Sequence, residues 1–345
     1  MNPRDEGKTP AKEPRFFAAR LLDKLDSGRR RLLRLPQLIY RLHVETNPHS
    51  DASVLLAGSG RGGTTWLAEV INYDNSYRLM FEPFNGARVR ESRAFGESQY
   101  LRPDDENVAF LEPAQKIFTG SVRNAWVDVY NRSLRPKRRL IKDIRVNLML
   151  GWIRAHFPEI PIVLLLRHPC AVAYSRWKLG WVADLERTFI AQAALVEDYL
   201  SPFVPAMRKA RSAFERHVFW WCVETYVPLK QLKPNDVLIT TYENCVASPQ
   251  YEIRRIFQYL QEPFKDEVLQ AVSKPSAETR RNWRSQNASA IVSGEELTGA
   301  WQQSLAPGNA ERALEILRMF GLDTIYNLDP FPNPRVMEEW NKGRS

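Results

Sequence analysis

A chain of 345 residues, 44% hydrophobic and 26% charged, is long enough for one large domain and too apolar for a disordered, collagen-like or low-complexity protein. Three cysteines, Cys170, Cys222 and Cys245, are too few and scattered for a disulfide framework or a CxxC metal site, and the five histidines form no HxxxH pair, so a metal-free protein of a reducing compartment is expected. The net charge of +9 is uneven: the first 50 residues hold 11 of the 49 basic residues against 6 of the 40 acidic ones, which suits an anionic partner such as a membrane surface, a polyanionic glycan or nucleic acid.

Residues 1–14 are polar. Beyond them Phe17, Leu21, Leu22, Leu25, Leu32 and Leu33 recur near helical spacing among basic residues, and Pro36 ends the run. This predicts a helix that either packs on the main domain or, through residues 15–35, lies in the plane of a membrane surface. Arg20, Asp23 and Lys24 interrupt the first apolar stretch, so no signal peptide is expected. From residue 51 the pattern changes. A short apolar strand at 53–57 leads through a glycine-rich turn to a helix at 65–72, and a second strand follows at 77–81. A third strand at 140–144 precedes a helix near 148–156. The strand at 161–166 is apolar throughout, as strands buried on both faces are. Its aliphatic core, 162–166, is the longest such run in the chain, far short of the roughly 18 residues a membrane span needs. A cytoplasmic protein, with peripheral membrane contact as an option, is the expectation. A helix starts at Pro169, helical sequence covers 185–232 with breaks near Pro202 and Pro205, and a fifth strand falls at 237–241. Helices at 250–261 and 311–320 close the pattern. Strands alternating with helices predict an α/β fold, a parallel sheet of about five strands covered on both faces. The expected organisation is a basic, partly helical extension at 1–45, one domain at 46–328 and a Pro-rich surface tail at 329–345.

Residues 58–66, Gly-Ser-Gly-Arg-Gly-Gly-Thr-Thr-Trp, carry the most information. A buried strand there enters a glycine-rich turn that opens a helix, and the backbone N–H groups of such a turn form an anion site. The spacing from Gly58 to Gly63 is that of the NTP-binding loop GxxxxGK[ST], which makes the sheet P-loop-type. Thr64, however, stands where the lysine belongs, and Arg61 is the loop's only cation. In NTP hydrolysis that lysine and a Mg²⁺ ion neutralise the phosphates, and a strand-end Asp helps hold the metal. Here the most apolar strand ends in Leu166-Arg167-His168-Pro169. An arginine cannot hold Mg²⁺ but grips a phosphate bidentately. Ser175, eight residues on, offers a hydroxyl to the same group. Two metal-free phosphate sites, at 61–65 and at Arg167/Ser175, suit a ligand with two separated phosphates better than a triphosphate. A P-loop kinase and a non-catalytic binding module stay as lesser alternatives.

Residues 61–67, Arg-Gly-Gly-Thr-Thr-Trp-Leu, resemble the 5′-phosphosulfate loop of sulfotransferases that use 3′-phosphoadenosine 5′-phosphosulfate (PAPS). Residues 167–176, from Arg167 to Ser175 and Arg176, resemble their 3′-phosphate motif. Phe81-Glu82-Pro83 is similar to the Glu-Pro strand end of carbohydrate sulfotransferases, and Tyr242-Glu243-Asn244 to the family's Tyr-Glu-Asp-Leu segment. Thr279 to Asn282, then Ala300-Trp301 and a helix to Gly321, resemble its C-terminal portion. The pieces occur in the family's order over residues 51–326. Arg61 replaces the lysine of the cytosolic small-molecule enzymes, and their RKG segment is missing, which moves the chain toward the carbohydrate-type and bacterial branch.

The resemblance implies PAPS as donor, released as 3′-phosphoadenosine 5′-phosphate (PAP), with no metal and no nucleic-acid partner. It implies a hydroxyl acceptor on a glycan or glycolipid, with a small-molecule alcohol or lipid as the alternative. Gly62, Gly63, Thr64 and Thr65, with Trp66 beside them, then bind the 5′-phosphosulfate, and Arg61 stabilises charge on its bridging oxygen. Arg167 and Ser175 hold the 3′-phosphate, and Arg281 closes over the nucleotide. Glu82 ends the second strand, on the edge where open parallel sheets place ligands, and is the candidate base. Lys142 and Arg145 are either solvated or face the sulfate or an anionic acceptor. His168 is expected to neighbour the site and His217 to be packed within a helix. Trp177, Trp181, Trp220 and Trp221 either stack on sugar rings or belong to the core.

Overall fold

The computed structural model of the chain describes residues 42–234, 236–276 and 298–341. The helix expected at 16–33, and Arg281, lie outside the described residues. A strand buried on both faces sends alternate side chains into separate cores. That is what β1 (Ser53–Gly58) does: Val54 and Leu56 enter one core, Leu55 and Ala57 the other. With β2 (Tyr77–Phe81), β3 (Arg138–Asp143), β4 (Ile162–Leu166) and β5 (Leu238–Thr241) it forms a parallel sheet in the order β2-β3-β1-β4-β5. The helix after β1, α1 (Thr64–Ile71), packs Trp66, Leu67 and Val70 into the first core with helix Pro249–Tyr259. The second core takes the helix after β4, α2 (Pro169–Lys178), and the long helix α3 (Ala213–Gln231). The P-loop-type sheet with helices on both faces is therefore the observed architecture.

The chain leaves β1 toward β2 on one side and leaves β4 toward β5 on the other, so the winding reverses between β1 and β4. Ligands of open parallel sheets bind at such a reversal, beyond the strands' C-terminal ends. Register brings those ends level: Gly58 lies opposite Leu165, Ala57 opposite Asp143, Phe81 opposite Lys142 and Leu166 opposite Thr241.

Two segments depart from the sequence pattern. The helical stretch at 185–232 divides into short turns at Glu186–Ile190, Val196–Leu200 and Val204–Arg208 before α3 begins. Ser212 starts α3 by accepting the Glu215 N–H at 3.0 Å. At the C-terminus, where a Pro-rich surface tail is expected, Pro334–Asn341 is a helix that buries Met337. Pro334 opens it, because proline's fixed φ suits a first helical turn.

Buried arginines secure the sheet's other end. Arg139 donates to Ser53 Oγ at 2.9 Å, to Glu45 at 2.8 Å, and to the carbonyls of Asn47 and His49. The segment 45–49 is thus tied to the sheet. Arg78, fully buried, pairs with Asp128 at 2.9 Å and donates to the carbonyls of Gly120 and Val122. Replacing one partner of such a pair strands the other charge in the core. Arg78→Leu is expected to cost about 3–5 kcal/mol of stability, measured by urea unfolding.

Candidate active site

Steric limits shape the phosphate loop first. At Gly58 (φ 155°) a Cβ atom would lie 2.5 Å from the Leu165 carbonyl oxygen, and at Gly63 (φ 96°) 2.7 Å from the Tyr242 ring. Only glycine fits either place. Between them Gly62 N–H donates to Ser59 O at 2.8 Å and closes the turn, with Arg61 held in the left-handed region at φ 73°. Gly63 then starts α1 as its N-cap. The N–H groups of the opening turn, at Thr64, Thr65 and Trp66, have no acceptor within the helix and face out of its N-terminus, the arrangement that binds anions. The Trp66 side chain turns away, donating to Val272 O at 3.1 Å and meeting Tyr242 edge-on. What Trp66 offers an anion is its backbone.

Behind the loop stands a brace that local sequence pattern does not reveal. Glu224, on α3, accepts from Ser59 Oγ at 2.8 Å and Arg176 Nη2 at 2.9 Å through one oxygen, and from Trp220 Nε1 at 2.9 Å through the other. Arg176 also donates to Gly60 O at 2.9 Å. Both charged side chains are 3% exposed. The only local signal was an acid inside the apolar run Phe219-Trp-Trp-Cys-Val-Glu224.

The second arm comes from β4. Arg167 lies 4.2 Å over the Tyr242 ring and donates to Arg61 O at 3.3 Å, while its own carbonyl accepts from Trp221 Nε1 at 3.0 Å. Arg61 Nε donates to Ser175 Oγ at 3.1 Å. Arg61, Arg167 and Ser175 therefore meet in one cluster. Among the described residues Arg167 Nε is buried without a hydrogen-bond partner. Two guanidinium groups, a hydroxyl and a turn of main-chain N–H groups make a donor set that fits a nucleotide with two separated phosphates. His168 caps α2: its Nδ1 accepts Cys170 N–H, which leaves Nε2–H to donate to Asn327 O at 3.0 Å. Burial pushes its pKa down to about 4, so it is a neutral structural neighbour, stacked on Trp301.

A second cluster of charged side chains forms at the ends of β2 and β3. Glu82, in the left-handed region at φ 46°, accepts from Lys142 Nζ at 2.7 Å and Arg145 Nη1 at 2.6 Å. Neither cation is simply solvated; both serve Glu82. Burial alone drives a carboxyl upward, but the charges and hydrogen bonds of Lys142 and Arg145 outweigh it and hold Glu82 below the usual carboxylate value. Asp143, fully buried beside them, accepts from Phe84 N at 2.8 Å and Arg145 N at 2.9 Å. His217 is buried in α3, as expected, and the four tryptophans divide. Trp220 and Trp221 belong to the core, whereas Trp177 and Trp181 are exposed.

A P-loop-type turn lies at the reversal of a parallel sheet, with Thr64 where the lysine of a triphosphatase stands, Arg61 three residues before it, and Arg167 at the end of β4. Residues 53–266 match the profile of the sulfotransferase family, and the chain belongs to that family. Among solved structures, the sulfotransferase domain from the curacin biosynthetic pathway is 16% identical, covering 78% of this chain and 97% of its own, at a TM-score of 0.44. The sulfotransferase STF9 from Mycobacterium avium is 12% identical over 80% of this chain and 77% of its own, at 0.40. A retinol dehydratase in complex with androsterone and inactive cofactor PAP is 18% identical over 87% and 88%, at 0.38. Compared with the curated proteins, the chain has no match.

Burial pushes Asp143 up to about 6 from 3.8. A carboxyl raised on folding contributes stability fully below its unfolded pKa and loses that contribution as pH rises through the folded value. Asp143→Asn removes this titration. The stability of the wild type relative to that variant is expected to fall by about 2 kcal/mol between pH 4 and 7, read from urea unfolding at each pH.

Proposed function

We propose that the protein transfers the sulfuryl group of PAPS to a hydroxyl of a carbohydrate or glycolipid acceptor and releases PAP. The observation that supports this best is the convergence of Arg61, Arg167 and Ser175 on the mouth of the phosphate loop. PAPS, when bound, supplies a sulfuryl group on a phosphate leaving group. The opening turn of α1 and Arg61 hold the 5′ end and stabilise charge on the bridging oxygen, and Arg167 with Ser175 holds the 3′-phosphate. Arg281, outside the described residues, is proposed to close over the nucleotide.

Glu82 is the proposed base, taking the acceptor hydroxyl's proton as the acceptor oxygen bonds to sulfur. Its lowered pKa keeps it ionised and makes it a weak base. A weak base suffices where bond formation to the nucleophile is late, as in loose phosphoryl-type transfer. Lys142 and Arg145 fix its orientation, and any anion that draws either away raises its basicity. The acceptor class rests on the Glu-Pro strand end at 82–83. Among the described residues no helix is long and apolar enough to cross a membrane; a cytoplasmic location with peripheral membrane contact at 15–35 remains part of the proposal.

Calorimetry on purified protein tests the nucleotide assignment. Arg167→Ala is expected to weaken PAP binding by about 10–100-fold, the worth of a charged hydrogen-bond pair, and to leave adenosine 5′-phosphosulfate, which lacks the 3′-phosphate, little changed. Equal losses for both ligands exclude the assignment. Glu82→Gln is expected to lower kcat by about 10²–10⁴-fold at unchanged PAP affinity. Turnover of a Glu82→Gln, Arg61→Ala double variant equal to wild type would instead mark a binding module.

A further inference from the structure

β2 runs into a dipeptide that a strand cannot continue through. Glu82 stands in the left-handed region at φ 46°, and Pro83 after it has no N–H. The donors around this point alternate. Phe81 N–H turns away from β3, to Val127 O at 2.8 Å, and Glu82 N–H turns to β3, to Lys142 O at 2.7 Å. Pro83 has no donor to place, and on an edge strand that loses no ladder bond. Phe84 carries the next donor, and its acceptor is a side chain: Asp143 Oδ2, at 2.8 Å. The other oxygen of that carboxylate, Oδ1, accepts Arg145 N–H at 2.9 Å. Arg145 in turn donates through Nη1 to Glu82 Oε2 at 2.6 Å. These links close a ring. It runs from the Glu82 side chain through Arg145 to the Asp143 carboxylate, and back along Phe84 and Pro83 to Glu82. Asp143, fully buried, is the member that joins the turn after β2 to the turn after β3.

We propose that Asp143 is a positioning residue. By holding the Phe84 and Arg145 N–H groups on one carboxylate, it keeps the left-handed turn at Glu82 and sets that side chain within reach of Arg145. Its effect on turnover rests on the reading of Glu82 as the base; the ring does not. An amide in its place has one acceptor oxygen and would turn an NH₂ donor toward the second N–H, and a protonated carboxyl likewise makes one oxygen a donor. The ring therefore needs the ionised form. Burial places the protonation of Asp143 at about pH 6. Glu82, held below the usual carboxylate value, stays ionised through that range. The charges around Asp143 are Arg145 and Glu82, with Lys142 on Glu82's second oxygen and Glu97 acting on Arg145. A loosening of Glu82 from Arg145 near pH 6 is thus the work of Asp143 and not of Glu82's own titration.

Two measurements test this. The first is hydrogen exchange in ¹⁵N-arginine-labelled protein, with the Arg145 guanidinium signals assigned by their loss in Arg145→Lys. Protection of these protons, relative to free arginine at the same pH, is expected to fall about tenfold between pH 7.5 and 5, as a charged hydrogen bond weakens. In Asp143→Asn it is expected to be low throughout. Protection in the wild type that stays constant over this range overturns the proposal, whether or not the variant folds. The second is turnover with PAPS and a carbohydrate acceptor. Asp143→Asn is expected to lower kcat about 10–100-fold at pH 7.5 with PAP affinity unchanged. In a Glu82→Gln background the same substitution is expected to add less than about twofold, because residues acting as a unit are not additive. Equal losses in the two backgrounds overturn positioning through Glu82 and leave Asp143 a purely structural group. Unchanged kcat in Glu82→Gln alone counts against the base, and the arginine exchange then decides the ring by itself.

Discussion

The site depends on one buried carboxylate. Glu224 collects donors from Ser59, Arg176 and Trp220, and Arg176 passes the connection on to the Gly60 carbonyl. Burying two charges is expensive, and a pair of this kind adds little net stability over apolar substitutes. What it gives is position. A loop whose backbone must present N–H groups to an anion cannot be held by apolar contact, which has no direction; hydrogen bonds to a fixed carboxylate have one.

That rigidity lets the loop keep an unfavourable backbone. Four described residues other than glycine have positive φ, and two of them are Arg61 and Glu82. Each such conformation costs on the order of 1–3 kcal/mol and persists only where surrounding contacts impose it. Arg61 is imposed by the turn that Gly62 closes and by Arg167 on its carbonyl. Glu82 is imposed by Lys142 and Arg145, and by its own N–H on Lys142 O at 2.7 Å. The two candidate catalytic side chains are thus held by their surroundings, Arg61 in the turn after β1 and Glu82 directly after β2.

The two sides of the crevice use positive charge differently. At the end of β4 Arg167 leans on an aromatic face and a carbonyl, both neutral partners. At the ends of β2 and β3 Lys142 and Arg145 are committed to Glu82.

By itself the sequence determined the strands, the glycine-rich turn between β1 and α1, and the placing of Arg167 after β4 and Ser175 on α2. Each is legible from residues within a turn or two: a short apolar run at 53–57, glycines spaced through 58–63, and a serine on the helix that its own strand feeds. Tertiary structure alone decided the Glu224 brace, 165 residues from Ser59, and the clamp on Glu82 from residues 60 and 63 positions away. It also decided which tryptophans face water, since Trp177 and Trp220 both sit on amphipathic helices and differ only in what packs against them. The reason is register. Local pattern fixes which face a side chain takes, but which distant side chain it meets follows from the order of strands in the sheet and the level at which their ends align.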